Sequence, residues 1–156
     1  MRPSCYLLES SRESALLYLG EISTEECLAA FDPASSITIS EFGANCGDVG
    51  WVSSSDLPTI GSVSDLITFL RDRQHLGLVD LSASVGDVKL STHDDGEAQL
   101  TFPNEKQALG FLRNALDSST VESVISCLLR NKGRYVADQG GILKVFESFD
   151  AYLAGG

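Results

Sequence analysis

The sequence predicts an α+β fold, a single domain with a mainly antiparallel sheet of about five to seven strands packed with four or five helices. Three observations predict it. Short segments alternate apolar and polar residues at a period of two, with turn residues between them. Other segments repeat apolar residues at i, i+3, i+4 and i+7. Hairpins precede helices along the chain, which argues against a doubly wound parallel sheet. The 156 residues suit one domain, no linker-like stretch divides them, and 43% are apolar, enough to bury a core.

Each element has its own reason. Tyr6–Leu8 and Ala15–Ile22 read as two strands joined by the polar turn Glu9–Ser14. Thr24-Glu25-Glu26 opens a short helix to Phe31, with Thr24 as N-cap and acids in the first turn, and Asp32-Pro33 stops it. Ser36–Phe42 alternates strictly and is a half-buried strand. Gly43–Gly50 reads as a loop, Trp51–Ser53 as the return strand, and Asp56–Gly61, with Pro58, as a turn. Ser62 or Ser64 caps a helix whose stripe is Val63, Leu66, Ile67 and Leu70, and Gly77 is its stop. Leu78–Val85 alternates again.

Val88–Thr92 and Glu97–Phe102 form the clearest hairpin, because His93-Asp94-Asp95-Gly96 contains the Asp-Gly pair suited to positive φ. Pro103-Asn104 begins a helix through Leu116, with Leu109, Leu112 and Leu116 on its core face. Ser119-Thr120 begins another, with the stripe Val121, Val124, Ile125 and Leu128, and Asn131-Lys132-Gly133 ends it. Tyr135–Ala137 is a short strand. Gly140-Gly141 separates it from a final helix, Ile142–Leu153, whose stripe is Ile142, Val145, Phe146, Phe149 and Leu153. A faint repeat runs through this order. Phe69-Leu70-Arg71 and Phe111-Leu112-Arg113 lie 42 residues apart, each in a helix after strands, and Tyr6 to Phe31 resembles a third such unit.

Charge narrows the function. There are 22 acids and 11 bases, a formal net charge of -11. No Lys or Arg occurs from Glu13 to Leu70. Clustered Lys and Arg supply most of the affinity for phosphate backbones, so nucleic acid is excluded as an expected partner. The best basic cluster, Arg130, Lys132 and Arg134, is too small to serve nucleic acid or an anionic membrane surface. No apolar run approaches the length of a membrane span. The apolar stretch before Glu9 is too short for a signal-peptide core, so the expected compartment is the cytoplasm. Cys5, Cys27, Cys46 and Cys127 show no CxxC spacing and are expected as reduced, mostly buried thiols.

Catalytic motifs are missing. Gly43–Gly50 lacks the lysine of a phosphate-binding loop and carries Asp48, which repels phosphate. His75 and His93 form neither HxxxH nor HExxH. His93 with Asp94 and Asp95 could bind a metal or carry protons, but a solvated turn neither excludes water nor holds a substrate. Cys46 would need a cation or helix N-terminus to lower its pKa, and its sequence neighbours are acidic. The expectation is therefore no catalytic residue, no metal and no cofactor.

The expected function is an acidic module that binds and neutralises a basic protein partner, a toxin or effector. Its sharpest form is an immunity or inhibitor protein blocking a nuclease-like bacterial toxin. A negative surface steers such a partner and speeds association. The expected partner-binding residues are Glu25, Glu26, Glu41, Asp48, Trp51 and Asp56. Trp51 serves as the apolar centre in preference to Tyr18, Tyr135 and Tyr152. Two alternatives stand beside this reading. One is a secretion chaperone or adaptor, for which a homodimer is the usual assembly. The other is an enzyme whose site follows no motif.

Overall fold

Strict alternation sorts the strands into two faces, and the turns between them set their order. The computed structural model describes residues 5–46, 50–72, 79–93, 96–116 and 119–155. Among them nine strands form one antiparallel sheet: β1 (Cys5–Ser10), β2 (Ala15–Gly20), β3 (Ile37–Asn45), β4 (Trp51–Ser53), β5 (Val79–Val85), β6 (Val88–His93), β7 (Glu97–Phe102), β8 (Tyr135–Gln139) and β9 (Ile142–Phe146). Their order across the sheet is β4-β3-β5-β6-β7-β2-β1-β8-β9. The architecture is α+β as expected, with a sheet larger than five to seven strands.

The helices are α1 (Thr24–Ala29), α2 (Val63–Asp72), α3 (Glu105–Ala115), α4 (Val121–Arg130) and α5 (Phe149–Gly155). The first four cover one face of the sheet. Their stripes meet the inward strand residues in the main core, where Leu8, Leu17, Leu19, Leu28, Leu66 and Leu112 are fully buried. Burying each such side chain is worth about 1.5–3 kcal/mol, so this layer dominates stability. The fifth helix lies on the opposite face. Phe149 and Tyr152 pack there with Tyr135 against Cys5, Leu7 and Tyr18, and the Tyr18 and Tyr135 rings meet edge-on at 5.6 Å.

Several elements depart from the sequence reading. Ile142–Phe146 is strand β9, and only Phe149–Gly155 is helical. Gly140 and Gly141 have φ of 65° and 88°, the two-residue turn that folds β9 back on β8. Tertiary pairing thus overrode a helical stripe that the same apolar residues also satisfy. Gly43, Ala44 and Asn45 belong to β3 and not to the following loop. The first helix is capped by Ser23, not Thr24. Thr24 instead turns inward, and its hydroxyl donates to the Thr92 hydroxyl at 2.9 Å. Asn104 caps α3, accepting from the Gln107 N–H at 2.9 Å. Asp48, His75, Gly77, Asp94 and Asp95 lie outside the described residues. Phe69 and Leu70 lie on α2 and Phe111 and Leu112 on α3, and all four are buried.

Candidate functional site

The face opposite α1–α4 is only half covered, because α5 packs over the end formed by β2, β1, β8 and β9. The remaining half, over β3, β5, β6 and β7, is open. Alternation explains its chemistry. On β5, Val79, Leu81, Ala83 and Val85 point into the core, which leaves Asp80, Ser82 and Ser84 on the other face. On β6 the outward residues are Lys89, Ser91 and His93, and on β7 they are Glu97, Gln99 and Thr101. Register places Ser82 beside Ser91, Ser84 beside Lys89, and Ser91 beside Gln99. Together with Ser40 they floor a shallow depression of about 320 Å³. Ser40 sits at a β-bulge between Ile39 and Glu41 and donates to the Ser82 carbonyl at 2.9 Å.

Trp51 stands at the edge of this face. It pairs with Asn45 across β3–β4, and its indole lies over Gly43. A Cβ on Gly43 would sit 2.1 Å from Trp51 Cζ2, so only glycine leaves room for the ring. The φ of Gly43 is not positive, so close approach, not backbone conformation, explains this glycine. Trp51 remains 57% exposed. Glu41, exposed, pairs with Ser82 and shares the open face. Neither β3, β4 nor β5 contains a Lys or Arg.

The structure brings Glu41 and Trp51 together and assigns structural work to three other candidates. Glu25 on α1 is ion-paired with Arg71 on α2. Glu26 closes a capping box with Ser23, accepting its N–H at 3.2 Å while the Ser23 hydroxyl accepts the Glu26 N–H at 3.1 Å. Both acids belong to the helix layer, away from the open sheet face. Asp56 ends a 3-10 turn (Ser54–Asp56) and accepts the Ser53 N–H at 2.9 Å. That bond and one from the Ser53 hydroxyl hold its carboxyl below the usual carboxylate range. The 3-10 turn is tied to β3 through Ser54, whose hydroxyl accepts the Phe42 N–H at 2.9 Å.

Other reactive groups are enclosed. All four cysteines are buried and free. Burial pushes the Cys5 and Cys27 thiols up to about 12. Cys46 lies in the main core, its N–H bonded to the Gly50 carbonyl at 2.9 Å. Tyr18 donates to Glu97 Oε1 at 2.7 Å, and burial together with this bond raises its pKa. Tyr18 and Tyr135 are consumed by the α5 contact, and Tyr152 joins them, so Trp51 alone of the four aromatic candidates stands exposed on an open face. No group of three His, Cys, Asp or Glu residues suited to a metal occurs among the described residues. No helix among them is long and apolar enough to cross a membrane.

The hydroxyl-rich depression is what sequence reasoning missed. Its signal was present in the alternating Ser and Thr of β5, β6 and β7, but strand order was needed to join them. Comparison with protein-family models, curated proteins and solved structures finds no match for this chain.

Proposed function

We propose that this chain is a protein-binding module that takes a basic protein partner on its open sheet face, at the β3–β4 end. Its most concrete form is an inhibitor that covers the cationic working surface of a nuclease-like toxin. One observation carries the reading. The segment without Lys or Arg, Glu13 to Leu70, supplies the sheet end where the exposed Trp51 and Glu41 stand together. β5 beside it adds Asp80 and no cation. A flat aromatic in an anionic surround suits Arg and Lys side chains, which stack on indole faces and pair with carboxylates. Ser, Thr and Gln on the adjoining strands offer hydrogen bonds, and Lys89 on β6 is the one Lys or Arg of β3–β7.

The test begins with retrieval of partners by the tagged chain at about 50 mM and about 500 mM salt, which cuts the screening length from roughly 14 Å to roughly 4 Å. A basic protein whose association slows about 10-fold or more at high salt is expected. With that partner purified, Trp51→Ala should weaken binding by about 30-fold, and Glu41→Lys should mainly slow association. Binding that is indifferent to both substitutions and to salt overturns the reading.

A further inference from the structure

We infer that β9 is a self-association edge, through which two copies of this chain pair antiparallel and join their sheets. This goes beyond the open-face reading and uses the other end of the sheet. Among the described residues β9 pairs only with β8, so its outer N–H and C=O groups face outward unpaired by any strand. Natural sheets usually blunt such an edge with charge, proline or a bulge. Here the edge is five residues long, has no proline, and carries one charge, Lys144.

Its surroundings are apolar on both sides. Five large hydrophobic residues are exposed among the described residues, and Trp51 is the one at the far end. Ile142 and Val145 lie on β9 itself. Register puts Ile142 on the α5 face and Val145 on the α4 face. Leu129 belongs to α4, which packs on β8, and Leu153 to α5, which packs on β8 and β9. Ile142 and Val145 therefore set one exposed apolar side chain on each side of the unpaired backbone.

Charge selects the occupant. Residues 119–156 hold four bases (Arg130, Lys132, Arg134, Lys144) and four acids (Glu122, Asp138, Glu147, Asp150), a net of zero. The whole formal charge of -11 therefore resides in residues 1–118. Two copies of an acidic protein repel each other at most approaches. The β9 end is where they meet without that repulsion, and Arg134 is already paired with Glu147 at 3.5 Å there. A twofold axis perpendicular to the sheet makes the contact closed and isologous. It places α5 beside α5 and α4 beside α4, and leaves both Trp51 ends free.

Sedimentation of the full chain over a concentration series tests this. The expected species has twice the 16.7 kDa mass of the chain, populated by about 10 µM. Raising salt should leave the dimer unchanged or strengthen it, because screening reduces repulsion between the acidic ends. That response is opposite to the one expected for a basic partner, so the two readings fail separately. Ile142→Lys and Val145→Lys, on opposite faces of the edge, should each weaken the dimer by about 10-fold or more. Ile142 is 64% exposed, so its variant keeps the fold and the circular dichroism and melting of the parent monomer. A monomer at every concentration overturns the inference. So does a dimer that neither substitution affects, since the interface would then lie elsewhere.

Discussion

Gly43→Ala is the most incisive perturbation of the proposed binding face, because its effect is confined to one ring. The added Cβ would lie 2.1 Å from Trp51 Cζ2 and 2.9 Å from Cε2, closer than any real contact, so the indole must leave β3. Gly43 lies in β3 without positive φ, so alanine itself fits the strand. The indole is 57% exposed and thus has about two-fifths of its surface covered. For a tryptophan that is roughly 100 Å². At about 25 cal/mol per Å² the loss is at most ~2.5 kcal/mol, and residual burial in the unfolded chain lowers it to about 2 kcal/mol. Replacing glycine by alanine in a strand returns about 0.5–1 kcal/mol. The net cost is about 1 kcal/mol, a fall in Tm of about 2–4 °C for a chain of this size. The assay is direct, since Trp51 is the only tryptophan. Its emission should shift to the red and become more readily quenched by iodide, with far-UV circular dichroism unchanged. Unchanged emission and quenching would refute the placement of the ring on Gly43. A loss of cooperative melting would refute the claim that the effect stays local.

Three further predictions follow from burial and ionisation. Leu112→Ala should cost about 2–5 kcal/mol, read as a lower urea midpoint, because Leu112 is fully buried between α3 and the sheet. Glu105 accepts from Ser10 at 2.6 Å and pairs with Lys132 at 2.6 Å, which lowers its pKa from 4.5. Its stabilising contribution is therefore present above pH 4.5 and lost as pH falls through the lower folded value. Glu105→Gln should cost about 0.5 kcal/mol at neutral pH, discounted for exposure, and nothing in strong acid, as followed by melting at several pH values. Tyr18 has a raised pKa, so its contribution is full below 10.0 and declines as pH rises above that value. Tyr18→Phe should lose about 1 kcal/mol at neutral pH through the Glu97 bond, and the deficit should shrink in melts at about pH 11.

The fold was legible where local signals agreed. Asp-Gly and alternation located β6 and β7, and apolar stripes located α2, α3 and α4, because burial of one face leaves a period in the sequence. It was illegible where two periods fitted one segment. Ile142, Val145, Phe146 and Phe149 satisfy a helical stripe, while Gly140-Gly141 permits a hairpin. Hairpin pairing with β8, which is itself held by pairing with the distant β1, decided between them. Gly43 looked like the start of a loop because its role, making room for an indole eight residues later, is a contact and not a propensity.

The candidate site divides along the same line. The excess of acids and the stretch without bases are properties of composition and order, and the sequence determines them. Which acids stand available is decided in three dimensions. Glu25 meets Arg71 from 46 residues away, and Glu26 and Asp56 bond to backbone N–H groups close by, whereas Glu41 comes to share a face with Trp51 through strand register. The sequence by itself determined how much charge and apolar surface this protein carries, because those are sums over residues. Only the tertiary structure decided where that charge is spent and which apolar residues remain outside, because ion pairs, strand order and sheet edges arise from contacts between distant segments.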